Sequence, residues 1–458
     1  MTTGWNTYDK KYTMENSKLL LGALLFWAGT SFAQTSSFSL EEAKNYALEN
    51  HISALNAEQD VIAAEYQRRE TVAMGLPQIN ATGSFSNFLN LPVQVLDASF
   101  FGGQPGDLIS FRAGTDYSSS FNFNVNQLVF SGSYIVGLKL SKHYAGMKTN
   151  AASLSKEDVI YQLVQSYELA AVTKENVTFM DSIVDLTQSL VDKQQNYLEL
   201  GLILQEDMDQ LNYSLLTAKQ SQTQAVLQYQ NALELLKFSM GYPMDQEIEI
   251  SATPQDLMST PGMTGGDVKT NLTYQVMNDQ VTLQEYVIKN DQSAYLPTLN
   301  AYLQHGFNAF RNEFNFFDSD QNWFTQTSWG LQLNIPILSS GQRYYKTAQS
   351  KVALLQAQNN LEQMEQTLTM QSLQAQNNLE SARSNYELQQ ENVRLARSIY
   401  ENEAAKEEIG KGNSILVTQK YNQLVMAQAQ LVGSTLELLQ AQLELNKIYN
   451  NLLPNGQQ

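Results

Sequence analysis

Apolar residues along this chain follow two rhythms. From Leu361 they run Leu361, Met364, Leu368, Ala375, Leu379, Ala382, Tyr386, Val393, Ala396 and Tyr400. A spacing mostly of three and four over many turns predicts a long helix with a narrow, coiled-coil-like seam. The flanks of that seam, as in "QAQNNLEQMEQTLTMQSLQAQNNLE", are polar, so the helix does not sit in a thick globular core. The nine prolines leave two long spans free, 106–242 and 337–453. Gly201 lies near the middle of the first and Gly410 and Gly412 hold the equivalent place in the second, so each span reads as a long helical hairpin with glycine at its turn. A helix from about Tyr134 to Glu199 would be roughly 100 Å long at 1.5 Å per residue.

Four stretches switch to a period of two. "INATGSF" sets Ile79, Ala81, Gly83 and Phe85 against Asn80, Thr82 and Ser84, and "YSSSFNFNVNQ" sets Tyr117, Phe121, Phe123 and Val125 against a row of Ser and Asn. "LNAYLQHGFNAF" alternates from Leu299 through Ala301 and Leu303 to Phe307 and Ala309, and "WGLQLNIPI" sets Trp329, Leu331, Leu333 and Ile335 against Gly330, Gln332 and Asn334. Each approaches the ~9–11 residues of a tilted transmembrane strand with one apolar and one polar face. Alternation alone also fits a half-exposed soluble sheet.

The chain is internally duplicated. "GLPQINATGSFSNF" and "YLPTLNAYLQHGF" enter a strand through the same Leu-Pro step, at Pro77 and again 220 residues later at Pro297. Proline suits the junction because it lacks the N–H a helix needs and biases its predecessor toward extended backbone. Later landmarks repeat at 209: Gly201 with Gly410, Ala218 with Ala427, Leu227 with Leu436, Ala232 with Ala441 and Leu236 with Leu445. The change of offset falls across the strand hairpins, where the loop "LNLPVQVLDASFFGGQPGDLISFRAGTD" is longer than its counterpart "RNEFNFFDSDQN". The resulting division is a first repeat over 34–241 with a strand hairpin at 79–130 and a helical tip near 201, then a linker at 242–270. A second repeat over 271–458 has a strand hairpin at 298–337 and a tip near 410.

Composition and the leader place this pattern in a cell. Lys18 precedes an apolar run from Leu19 to about Ala28, and Ser31 and Ala33 stand at the small-residue positions of a cleavage site. Residues 1–33 therefore read as a secretory signal peptide cut after Ala33. Lys10 and Lys11 lengthen the basic leader if the start is Met1 rather than Met14. No later run is apolar enough for a spanning helix, so entry into a membrane would have to be as a β-barrel. There are no cysteines, which removes disulfides, thiolate chemistry and a lipid anchor on Cys. A formal net charge of -18 disfavours nucleic acid as a partner.

Four strands cannot close a barrel, and open edges are not tolerated in lipid, so a barrel here is shared between copies. Two copies would give eight strands and three would give twelve. Phe88, Phe100 and Phe101 crowd one loop and Phe314, Phe316, Phe317 and Trp323 the other. They fit either an aromatic girdle at a membrane interface or a self-packed loop cluster.

The duplicated helix-strand-strand-helix plan, the opening "FSLEEAKNYALENH", the two Leu-Pro steps, and "YLELGLILQEDMDQLNYSLLTAKQ" and "EEIGKGNSILVTQKYNQLVMAQAQ" at the tips together resemble the TolC-like outer membrane efflux proteins. The likeness runs over nearly all of residues 38–452. It implies a mainly α protein with membrane β: a homotrimer with a twelve-stranded outer-membrane barrel, a periplasmic α-helical barrel, and an equatorial belt that includes the linker. It implies a passive conduit in a tripartite efflux or type I secretion system. The implied partners are a periplasmic adaptor (membrane fusion) protein, docked through Gly201, Leu202, Gly410, Lys411 and Gly412, and an inner-membrane pump of the resistance-nodulation-division or ABC type.

The family closes its periplasmic end with charged and hydrogen-bonding residues near the tips. Asp207, six residues past the tip glycine, matches the family's first-hairpin aspartate, with Glu206 and Asp209 beside it. The same three carboxylates also suit a helix start, where they meet the positive end of the dipole. In the second hairpin Leu416 and Gln419 stand where the family often has lumen-facing acids, and Lys411 is the available basic partner.

Enzyme chemistry finds no footing in the sequence. His51, His143 and His305 are scattered with no ligand spacing, and no phosphate-cradling loop or nucleophile elbow appears. No cofactor or metal is expected. The competing reading is a secreted, soluble helical structural protein or adhesin, in which the outer face of the strands packs on protein rather than lipid.

Overall fold

The structure, a computed structural model, describes residues 36–259, 265–409 and 411–453. The leader with Ala33, and the tip glycine Gly410, lie outside the described residues.

The first repeat opens with β1 (Ser36–Phe38), α1 (Leu40–Asn50) and α2 (Ile52–Ala73). The Ser39 hydroxyl accepts from Glu42 N–H at 3.4 Å while the Glu42 carboxylate accepts from Ser39 N–H at 2.8 Å, a reciprocal cap that starts α1. Next come β2 (Gln78–Asn87), the short pair β3 (Val93–Asp97) and β4 (Leu108–Arg112), and β5 (Tyr117–Ser131). Strand β5 runs straight into α3 (Gly132–Glu199), which turns back as α4 (Gln205–Met240). The linker holds β6 (Ile248–Ile250) and α5 (Pro254–Ser259). The second repeat is α6 (Leu272–Ser293), β7 (Thr298–Arg311), β8 (Phe324–Asn334), α7 (Gln342–Glu408) and α8 (Ser414–Ile448).

The repeats match element by element. Helices α2 and α6 are both 22 residues long and start 220 apart, at Ile52 and Leu272. The long helices α3 and α7 have 68 and 67 residues, so at 1.5 Å per residue each runs about 100 Å.

Three apolar clusters hold the helices. The largest joins Ala43 and Ala47 of α1, Ile160, Leu163 and Tyr167 of α3, Leu236 and Met240 of α4, Ile250 of β6 and Leu439 of α8. Tyr167 ties the N-terminal segment and the linker to α3 at this level: its hydroxyl donates to the Phe38 carbonyl at 2.9 Å and accepts from Ala252 N–H at 3.2 Å. Strands β1 and β6 pair in parallel over the same helix. The second cluster, with Leu211, Tyr400, Tyr421 and Leu424, locks the two helical hairpins together toward their tips. The third packs Ala375 of α7 on Leu445, Ile448 and Tyr449.

Three details differ from the pattern reading. The long loop of the first strand hairpin is not structureless, since β3 and β4 pair within it. The N-terminal segment and the linker add β1 and β6 to the four expected strands. Ile335 is not a strand residue, because β8 ends at Asn334, opposite Thr298; one step further the partner is Pro297, which has no N–H to give.

Candidate functional site: a four-stranded sheet and a helical tip

The two strand hairpins come from opposite halves of the chain and form one sheet, in the order β2-β5-β7-β8, all neighbours antiparallel. Register decides what this sheet is. Ile79, Val125, Leu303 and Trp329 lie in one row across the four strands. Phe121 pairs with Phe307, Ala301 with Leu331, and Leu299 with both Phe130 and Leu333. Because side chains alternate with period two, these rows share a face. The intervening rows share the other: Asn80, Asn124, Gln304 and Ser328, then Thr82, Asn122, Gly306 and Gln326.

The apolar face is bare, with Trp329 77% and Ile79 71% exposed. Three of its polar members are matched to partners: His305 Nδ1 and Thr327 Oγ1 are 2.7 Å apart, and Gln127 donates to the Gly75 carbonyl at 2.6 Å. From the row of Phe121 to that of Phe130 the apolar band spans about 30 Å along the strand, or roughly 23 Å in height at a tilt of ~40°. That is the height of an outer-membrane apolar band. Strands β2 and β8 each keep one edge unpaired.

Pro77 and Pro297 stand immediately before β2 and β7, after the same turn made twice. Leu76 N–H donates to the Ala73 carbonyl and Leu296 N–H to the Ser293 carbonyl, each at 3.0 Å. The loop aromatics divide. Phe316, buried with Arg311 over its ring, packs with Trp323, Phe314 and Phe85, and Phe314 also meets Tyr117; Phe314 itself is exposed, as are Phe100, Phe101, which meets Phe111, and Phe317, which meets Phe314.

At the far end, α3 closes on a left-handed Gly201 with φ 72°. Leu202 N–H reaches the Tyr197 carbonyl at 2.9 Å and Gly201 N–H the Leu198 carbonyl at 2.9 Å, a Schellman ending. Leu200, Leu202 and Leu204 are left exposed around it. In the second tip, Lys411 is exposed and Asn413 caps α8, accepting from Ile415 N–H at 2.8 Å. Gly412 is needed there for closeness: a Cβ would stand 2.4 Å from Glu407 N.

The three tip acids do not converge. Glu206 is exposed, and exposed Asp209 accepts from Gln205 Nε2 at 2.8 Å. Asp207 turns into the seam between hairpins, accepting from Leu204 N–H at 3.3 Å and from the Ser414 hydroxyl at 3.4 Å. Ser414 also donates to Glu407 at 2.8 Å, and burial, with Asp207 and Glu403 nearby, holds the Glu407 carboxyl above its ordinary value. Further along the seam Lys193 pairs with Glu408, Gln194 donates to the Glu407 carbonyl at 2.6 Å, and the Thr187 and Tyr400 hydroxyls meet at 3.3 Å. Leu416 is half-buried and Gln419 exposed beside this seam.

Pattern reading missed Glu403, Glu407 and Ser414, and it placed Tyr400 in the apolar seam without its hydroxyl contact. An i, i+4 pair of acids near a helix end is an ordinary surface pattern, and only the docking of the two hairpins makes Glu407 a buried one. The three histidines have local roles: His51 caps α2 through Ser53 N–H at 3.2 Å, His143 stacks on Tyr286 at 4.6 Å, and His305 is bonded as above. Among the described residues no cluster suits a metal ion, and no helix is long and apolar enough to cross a membrane.

Residues 272–451 match the family model described as outer membrane efflux protein. The match covers the second repeat, from the start of α6 through α8. No curated protein sequence matches the chain. The fold is shared with solved channels at low sequence identity. The Campylobacter jejuni CmeC outer membrane channel superposes with TM-score 0.69 at 15% identity, over 91% of this chain and 86% of that one. CusC gives TM-score 0.71 at 14% identity over 90% and 91%, and the open-state MtrE channel of Neisseria gonorrhoeae gives 0.68 at 14% over 92% and 90%. Outer membrane efflux proteins are passive channels rather than enzymes, and they sit in the outer membrane with their helical part in the periplasm. Family members are trimers that pair with adaptor proteins and inner-membrane pumps.

Proposed function

We propose that three copies of this chain close a twelve-stranded barrel continuous with a periplasmic helical tube, forming the exit duct of a tripartite efflux or type I secretion system. The observation that carries this reading is the sheet: four strands, one bare apolar face, one polar face and two unpaired edges. In lipid an unpaired edge is not tolerated, so β2 of one copy pairs with β8 of the next. Eight strands leave an interior that side chains fill, whereas twelve leave room for water against Asn122, Asn124, Gln304 and Gln332.

The chain moves nothing by itself, and an energised pump of the resistance-nodulation-division or ABC type supplies the drive. A periplasmic adaptor docks on the tips at Gly201, Leu202, Gly410, Lys411 and Gly412, where exposed Leu200 and Leu204 enlarge the apolar surface. The acids Glu206, Asp207 and Asp209 line the approach to the aperture, where the bond that Asp207 accepts from Ser414 ties the first helical hairpin to the second.

Reconstitution into planar bilayers tests the reading. It predicts discrete, long-lived conductance steps from purified protein, and a preparation that inserts without conducting contradicts it.

A further inference from the structure

Charge is distributed unevenly along the axis of this molecule. In a chain with 46 acids against 28 Lys and Arg, no Asp or Glu occurs in 117–156 or in 321–361. Those spans hold β5, β8 and the starts of α3 and α7. The same helix starts carry Lys139, Lys142, Arg343, Lys346 and Lys351. Lys139, Lys142 and Lys351 are exposed, and among the described residues no carboxylate forms an ion pair with them. Of the acids on α2 and α6, Glu65 is engaged with Arg68 and Arg69 and buried Asp291 with Lys346 and Ser350, while Glu70 and Glu285 are exposed.

The position of these cations gives them a partner. The apolar band ends at the row of Phe130, Leu299 and Leu333, two residues before α3 begins at Gly132 and nine before α7 begins at Gln342. At 1.5 Å per residue, Lys346 lies about 6 Å past the start of α7, Lys351 about 14 Å, and Lys139 and Lys142 about 10 and 15 Å past the start of α3. The headgroup layer is ~5–8 Å deep on each side, and charge reaches about 8 Å further at physiological salt. Long lysine stems shorten the remaining gap.

The rim itself is amphipathic, with Ile337 92% and Leu338 84% exposed beside exposed Tyr344 and Tyr345. Apolar, tyrosine and cationic side chains in succession suit a bilayer interface and are ill matched to a water-filled lumen.

We infer that the starts of α3 and α7 form a cationic collar that binds anionic phospholipid headgroups of the periplasmic leaflet. The inference rests on the barrel reading above and adds a lipid class to it. The collar fixes the depth of the barrel and opposes the repulsion that a chain of net charge -18 feels at an anionic surface.

The test compares lipid retention by native mass spectrometry. Protein extracted from membranes and stripped of lipid is offered phosphatidylglycerol and phosphatidylcholine of identical chains. Wild type is expected to retain phosphatidylglycerol in preference by about tenfold or more, given roughly 1 kcal/mol per cation near an anionic surface. The variant K139Q/K142Q/K351Q loses that preference, and K139R/K142R/K351R keeps it. Lys346 stays untouched because it pairs with buried Asp291.

Equal retention of the two lipids by wild type overturns the inference, as does a preference that survives the glutamine variant. If the glutamine variant alters ion selectivity in planar bilayers and leaves lipid preference intact, the cations face the lumen and the inference fails. A chain found only in the soluble fraction overturns the barrel reading itself.

Discussion

Val125 of β5 lies directly opposite Leu303 of β7, 178 positions further along the chain, past the first helical hairpin, the linker and α6. That pair joins the two halves of the duplication across the centre of the sheet. It places the apolar faces of both hairpins on one side.

Leu303 and Gln304 are neighbours on opposite faces, so a lysine at each reads the environment of that face. Leu303→Lys is expected to destabilise the assembled protein by about 2–4 kcal/mol, the cost of Lys in the lipid-facing middle of a barrel. Gln304→Lys is expected to be near neutral. The loss of heat-resistant oligomer on gels, followed against temperature, measures both.

Glu168 of α3 is 6% exposed, and burial pushes its carboxyl up to about 8, with Lys44 offsetting only part of the effect. Glu157 on the same helix is pushed up to about 7 for the same reason. A carboxyl in the unfolded chain titrates near 4.3. Between that pH and about 8 the folded state holds a proton the unfolded state has lost, so stability falls as pH rises. Melting temperature should therefore decline from pH 5 to pH 8, and Glu168→Gln should flatten the decline and raise stability at pH 8 by a few kcal/mol, on the order of the shift.

The two tip glycines serve different ends. Gly201 is left-handed with open space around its Cβ position, so Gly201→Ala costs only the backbone conformation, about 1–2 kcal/mol. At Gly412 a Cβ meets Glu407 backbone, so Gly412→Ala must push the start of α8 away from the end of α7. Hydrogen exchange at residues 403–418 should rise in Gly412→Ala, and exchange around 197–204 in Gly201→Ala should change less.

Neutralising the tip acids as E206Q/D207N/D209N should reduce the preference for cations in bilayer recordings and raise the open fraction. Of the three, D207N carries most of the change in opening, since Asp207 alone reaches across to Ser414. Unchanged conductance and selectivity would remove these residues from the aperture.

Much of this architecture was legible because it rests on periodicity. The period of two over "INATGSF" and "LNAYLQHGFNAF" marked strands, and Pro77 and Pro297 marked where helices stop. The pairing of β5 with β7 was not legible, since alternation says which face a residue takes and nothing about which strand lies beside it. The β3-β4 hairpin carried a readable signal, β-branched "VQV" and apolar "LISF" flanking "GGQPGD", hidden inside a stretch that reads first as a loop. At the tips, Asp207 was visible as an acid near a helix start. Its partner Ser414 is 207 residues away and belongs to no local pattern.

The central claim is that separate copies close the sheet, and particle mass tests it most directly. Native protein extracted from the outer-membrane fraction in mild detergent, with mass corrected for bound detergent, should be three chains of 51.5 kDa less the cleaved leader. A monomer recovered from the soluble fraction without detergent would contradict it.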